Sequence, residues 1–251
     1  MALVSKIAIT STRDKPAGNP LLTAEIYLIN PDGTDPQRLT NNDYGDSFPM
    51  LSPDGKEIVF DSNRLTADFG TLNMSDLFLM DTDGTNQTLL TRGSSATWSP
   101  DSKNIAFHAS ASYYESGGTV TGTTIRTDPG SATTDSDLFV ANVRDLAAAQ
   151  DVLTKTQLAT NITNTPKEIE DDPDWSASPT AAPGGQSIVF TSHPVGVEPG
   201  VSRDAEIYVI NPDGTGRLQL TDNEYEERAP SWSPDGTRIV FSARVLTSRS
   251  A

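Results

Sequence analysis

The chain has 251 residues, 35% hydrophobic and 21% charged, with 18 glycines and 17 prolines, a composition that fits one large all-β domain or a repeat array rich in turns. Its formal net charge of −16, from 18 Lys+Arg against 34 Asp+Glu, argues against phosphate backbones and anionic membrane surfaces, so nucleic acid is not an expected partner. The absence of cysteine removes disulfides, thiolate metal sites and cysteine nucleophiles together.

Residues 1–6 lack a charged segment followed by a long apolar core, so no signal peptide is expected. No apolar run approaches about 18 residues, and membrane insertion through a helix is not expected. Lys6–Thr10 reads as the first strand, and a polar loop with Pro16, Gly18 and Pro20 follows. Then come the strand Glu25–Asn30, the turn Pro31–Thr34, the strand Arg38–Thr40 and the acidic segment Asn41–Ser47. Phe48–Phe60 introduces a phrase, strand, Ser-Pro-Asp-Gly, strand, in which Asp-Gly is expected to form a tight type I′ hairpin.

The cycle repeats through Asp76–Met80, the turn Asp81–Gly84, Thr88–Thr91 and Ala96–Phe107. A third pass is stretched by a Gly/Thr/Ser-rich insertion from about Ser110 to Thr134 before Asp137–Val140. There the Ala-rich Asp145–Gln150 is expected to form one helical turn, and Gln157–Thr160 the closing strand. The phrase returns at Pro173–Ser176 with Ser187–Phe190, a fourth cycle runs from Glu206 to Thr221, and Ala229–Phe241 opens a fifth. Glu25–Phe60 set on Glu206–Phe241 without a gap gives about 21 identities in 36 positions, a mark of internal duplication. Repeats of four short strands predict β-propeller blades, with cycles at 6–47, 48–95, 96–172 and 173–228 and a partial one at 229–251.

The unit Pro-x-Trp-Ser-Pro-Asp-Gly, Ile-Val-Phe-x-Ser, Glu-Ile-Tyr-Val-Ile-Asn-x-Asp-Gly-Thr, Leu-Thr resembles the repeat of TolB-like (WD40-like) propellers over nearly the whole chain. The resemblance implies an all-β propeller of four-stranded antiparallel blades, generally six in the family. It also implies a periplasmic or secreted setting and partners such as envelope or lipoprotein components. With the strands of a blade lettered A to D, the chain holds four A, five B, four C and four D strands, because it opens at a B strand and stops just after one. Either an open arc of about four blade equivalents is expected, or closure by the last A strand on the first B, C and D strands. Open edges would invite self-association.

The B–C and D–A connections carry the length variation, at 11–24, 61–75, 110–136 and 193–204, so the face they form is the candidate functional face. The D–A connections are expected to bring Asp46, Glu170 and Glu227 to one repeat position, with Gly93 in the remaining cycle, while Asp43 matches Glu224 and Tyr44 matches Tyr225. Two readings stand. The seven residues form an acidic, aromatic-edged mouth for a cation, a basic peptide or a sugar, or the acids cap loop amides and pair with Arg13, Arg64 and Arg244.

Asp81–Asn86 resembles the start of a calcium loop but falls where the repeat demands a hairpin. Trp98, Trp175 and Trp232 share one repeat position, which points to packing. His108 and His193 stand near ends of B strands in different registers, and no nucleophile elbow, phosphate loop, dinucleotide fingerprint or zinc-protease motif is present. No catalytic residue, cofactor or metal is therefore expected. The function expected is a non-enzymatic scaffold binding another protein. The alternatives are a carbohydrate-active propeller, lyase or glycan-binding, and the propeller part of a prolyl-oligopeptidase-type peptidase.

Overall fold

The computed structural model describes residues 6–13, 23–64, 75–110, 136–166, 168–178, 186–194 and 205–245. The first sheet is β1 (Ile7–Ser11), β2 (Glu25–Ile29) and β3 (Gln37–Arg38). The second is β4 (Asp46–Leu51), β5 (Glu57–Ser62), β6 (Asp76–Asp81) and β7 (Thr88–Arg92). In the third, β8 (Ser94–Trp98), β9 (Asn104–Ser110), β10 (Ser136–Asn142) and β11 (Thr160–Asn161) follow one another, with helices α1 (Val143–Ala148) and α2 (Val152–Leu158) before β11. The fourth is β12 (Glu168–Trp175), β13 (Ile188–Pro194), β14 (Glu206–Ile210) and β15 (Leu218–Gln219). A last pair, β16 (Tyr225–Trp232) and β17 (Ile239–Val245), stands by itself.

Within every sheet, sequence neighbours pair antiparallel, and one parallel bridge, Ser136 to Ile169, joins the third sheet to the fourth. The opening strands β4, β8, β12 and β16 lie beside one another from sheet to sheet, the arrangement of inner strands in a propeller. No strand of the first sheet pairs with β16 or β17 among the described residues, so the succession stays open.

The apolar core lies between sheets. Ile58 and Phe60 of β5 pack with Ile26 and Leu28 of the first sheet, whereas Val59 packs the other way with Trp98, Ile105 and Phe107 of the third. Ile188 and Phe190 meet Ala106, Leu138 and Ile162, while Val189 meets Trp232 and Ile239. The two-residue period of a strand thus gives each blade two apolar faces, one for each neighbour. Fully burying one such side chain contributes about 1.5–3 kcal/mol.

Every inner strand carries the same irregularity. The ladder shifts between Ser47 and Met50, Ser94 and Thr97, Asp171 and Asp174, and Arg228 and Ser231. At each shift a non-glycine residue is left-handed: Phe48 (φ 48°), Ser95 (53°), Asp172 (52°) and Ala229 (50°). These are β-bulges built into the repeat, and they re-aim the half of the strand that precedes the Ser-Pro-Asp-Gly turn.

Three expectations need correction. The Ser-Pro-Asp-Gly hairpins are not type I′, because Asp54 and Asp235 are absent from the positive-φ residues and only Gly55 (73°) and Gly236 (68°) take such angles. The N–H of Gly236 donates to the carbonyl of Ser233 at 2.8 Å, with Pro234 at the position where a type I turn favours proline. The Ser233 hydroxyl donates to Asp235 and accepts from the Arg238 N–H, so all four residues of the phrase have work in the turn. Second, the third blade holds two helices rather than one turn. Asn142 and Asp151 cap them through side-chain oxygens, and the outer strand shrinks to Thr160–Asn161, with Leu158 inside α2. Third, Asp46, Glu170 and Glu227 lie within β4, β12 and β16 rather than in the connections before them. The ladders begin earlier than Pro49, Pro173 and Pro230 suggest, because the bulge lets the strand resume beyond the proline.

Candidate functional site

The three carboxylates are buried, and each faces a second acid that opens a C strand. In the first unit, the Thr40 hydroxyl accepts from the Ile26 N–H at 2.9 Å and donates to Glu25 at 2.7 Å. Asn42 bridges the acids, giving its backbone N–H to Glu25 at 3.2 Å and its side-chain N–H to Asp46 at 2.8 Å. Arg38 donates to Glu25 at 2.8 Å, and Arg64 reaches both oxygens of Asp46 at 3.2 and 3.1 Å. In the duplicated unit, Thr221 accepts from the Ile207 N–H at 2.8 Å and donates to Glu227 at 2.7 Å, and Asn223 bridges Glu206 and Glu227 at 3.0 and 2.7 Å. Asp137 and Glu170 repeat the pairing with Asn161, Thr163 and Thr165 as donors.

The guanidinium beside these acids comes from two different places in the chain. Arg64, just past the end of β5, lies 4.3 Å from the Phe78 ring centroid and donates to Ser62 at 2.9 Å. Arg217, just before β15, lies 4.7 Å from the Tyr208 ring centroid, donates to Ser192 at 3.2 Å, and reaches Glu168 and Glu170. Serine and aromatic ring are equivalent in the repeat and the arginine is not, so the space selects a guanidinium whatever strand supplies it. Arg13 repeats the Arg64 geometry on Ser11 and Tyr27. Arg244 pairs with Glu226, not Glu227, and with Arg228 it lowers the Glu226 pKa against the burial that raises it.

Where the repeat lacks the acid, an aromatic ring takes the space. A Cβ on Gly93 would stand 2.6 Å from Phe107 and 3.0 Å from the His108 carbonyl oxygen, at a φ of 155°. No side chain fits there beside the ring.

The other four predicted residues line up at the surface. Asp43 and Glu224 are exposed, as are Tyr44 (38%) and Tyr225 (46%). Each pair is held by one loop geometry, since the Asn42 and Asn223 side-chain oxygens accept the N–H of Tyr44 and Tyr225, both at 2.8 Å. The structure therefore separates the seven residues into buried acids tied into hydrogen bonds and exposed acid–tyrosine pairs in front of them. Thr40, Asn42, Thr221, Asn223 and Arg217 were missed in the sequence. The first four repeat across the duplication, and that signal could have found them. Of the candidate face, the B–C loops lie largely outside the described residues.

Burial pushes Glu170 up to about 8, opposed by Thr165 and reinforced by Asp137. Asp61, which accepts from Ser94 and Ser95, is pushed by burial to about 7. His108 is lowered by burial, with Asp171 pulling the other way from 3.6 Å. His193 pairs with Ile169 across β12 and β13, in another sheet. Among the described residues no three His, Asp or Glu side chains are arranged to hold a metal ion, and no helix is long and apolar enough to cross a membrane. Asp81–Asn86 makes the hairpin turn of the repeat, with the Asp83 carboxylate accepting from Thr85 and that of Asp81 from Asn86.

No family model matches the chain. A 36-residue stretch is 53% identical to dipeptidyl-peptidase 5 of Porphyromonas gingivalis, covering 14% of this chain and 5% of that protein. Among solved structures, TolB from Acinetobacter baumannii superposes with a TM-score of 0.60 at 17% identity, over 96% of this chain and 47% of that one. A protein assigned as TolB from Agrobacterium tumefaciens gives 0.58 at 19%, over 88% of this chain and 63% of that one. An oligogalacturonate lyase solved with manganese gives 0.56 at 13%, over 96% and 56%. The chain thus spans between about half and two thirds of the length of these neighbours, and its fold is that of the TolB-like β-propellers.

Proposed function

We propose that the chain is a non-enzymatic propeller scaffold that binds another protein through its loop face, in an envelope or periplasmic setting. The observation that carries this reading is the pair of matching exposed surfaces, Asp43 with Tyr44 and Glu224 with Tyr225, each fixed by an asparagine that also ties down the buried acid behind it. Tyrosine supplies large contact area at small entropic cost, and the net charge of −16 favours a basic segment on the partner. Likeness to TolB supports the setting and the kind of partner.

The test is a pull-down from envelope extracts with the full chain and with a variant carrying Asp43→Asn, Tyr44→Ser, Glu224→Gln and Tyr225→Ser. The partner is expected to be lost while circular dichroism and Tm hold. A partner retained at full yield overturns the reading. A second reading, the propeller part of a peptidase, is favoured by the stretch shared with dipeptidyl-peptidase 5. The gene sequence past residue 251 decides it. The lyase reading predicts unsaturated products from uronate polysaccharides, and the acidic charge weighs against binding that anionic substrate.

A further inference from the structure

Three junctions between consecutive sheets carry a pair of buried carboxylates, and two of them hold a guanidinium. Glu25 and Asp46 have Arg38 and Arg64, and Asp137 and Glu170 have Arg217. Among the described residues, Glu206 and Glu227 have none. Asn223 and Thr221 donate to three of the four oxygens, and the Glu206 Oε2, in a residue only 7% exposed, accepts no hydrogen bond of good geometry. Burial raises the Glu206 pKa, and the neighbouring Glu227 adds to the rise against Asn223 and Thr221. In the duplicated register the positions of Arg38 and Arg64 are taken by Gln219 and Val245. The nearby Arg228 and Arg244 serve Glu226, whose side chain leaves β16 on the opposite side from Glu227.

We propose that Glu206 and Glu227 form a binding site for the guanidinium group of an arginine side chain. The observations are the Oε2 without a well-placed donor and the guanidinium at two equivalent pairs. A calcium ion would need six or more oxygens, which this pair does not supply, whereas a planar fork of N–H donors matches two facing carboxylates. The arginine has two possible sources. One is Arg13 of a second copy, which is exposed, rests on Ser11 and Tyr27 as Arg64 rests on Ser62 and Phe78, and pairs with no carboxylate among the described residues. The other is an arginine of a different polypeptide. The site lies behind Tyr225 on the same Asn223 but does not rest on the loop-face reading, and its test leaves Tyr44 and Tyr225 unchanged.

The probe is N-acetyl-arginine amide, followed by ligand-observed NMR with the full chain, against N-acetyl-lysine amide. Saturable binding is expected, at least about threefold tighter for the arginine probe and weakened about tenfold by Glu206→Gln. Sedimentation velocity on wild type, Arg13→Ala and Glu206→Gln separates the sources. Self-association lost in both variants and reversed by the arginine probe assigns the site to a second copy. A monomer that binds the probe assigns it to another polypeptide. Should Glu206→Gln fail to fold, the arginine-over-lysine preference of wild type and of Arg13→Ala decides. Equal binding of both probes, or no binding with no self-association, overturns the proposal.

Discussion

Glu25–Phe60 and Glu206–Phe241 are nearly the same sequence in two surroundings. Their turns match bond for bond: Asp32 and Asp213 accept from Thr34 and Thr215 with the same atoms, at distances within 0.1 Å. Their strands part company. Ile58, Val59 and Phe60 are wholly buried, whereas Val240 is 69% and Phe241 40% exposed. The hairpin geometry is written locally, and the burial of its apolar residues is supplied by the next sheet.

The largest expected contrast is Phe60→Ala, at about 3–5 kcal/mol, against Phe241→Ala, at about 1 kcal/mol or less. Equal losses in urea denaturation would break the comparison and show that the last pair is packed in solution. Next in size, Arg64→Ala leaves Asp46 buried without its guanidinium and is expected to cost about 3–5 kcal/mol. Arg244→Ala, with Arg228 still on Glu226, is expected to lower Tm by far less.

Acidity sharpens the same contrast. Glu170 has a folded pKa raised to about 8 and Asp61 to about 7, above their ordinary values of 4.5 and 3.8. Their stabilisation is therefore complete below the ordinary values and is lost as pH rises through the folded ones. Tm is expected to decline between about pH 5 and 8, and Glu170→Gln to flatten that decline. A Tm that rises across the window would contradict it. The smallest effect compares glycines. Gly33→Ala meets only its left-handed φ of 81°, a cost of about 1 kcal/mol. Gly214→Ala also brings a Cβ to 3.0 Å from the Ile162 carbonyl oxygen of the preceding sheet, so it should cost more.

The strand count and order are legible in the sequence because Asp-Gly turns and β-branched runs are local signals. The helices of the third blade were legible in principle too. Asn142 and Asp151 are strong caps, and Val143 and Leu146 stand one helical turn apart, but the Ala-rich Asp145–Gln150 reads as a single turn and Gln157–Thr160 as a strand, so the second helix goes unseen. The site was legible as a repeat position and not as chemistry. Asp46, Glu170 and Glu227 share a register, yet whether a guanidinium meets them depends on Arg64 coming from the end of a second strand and Arg217 from the start of an outer one, a convergence that spacing cannot show. The bulges at Phe48 and Ala229 were hidden for a related reason, since neither residue type favours a left-handed backbone.

A core placed between sheets also governs how the molecule yields to force. A pull on the C-terminal end meets β17 first, held by its single ladder to β16 and by Ile239 against the fourth sheet. Beyond it, β13 and β5 are gripped on both faces, and α1 clamps the second sheet through Arg144, which meets Glu57 with two bonds of 2.8 Å. Extension from that end should therefore begin with one weak release, followed by stronger ones at the sheets held between two neighbours.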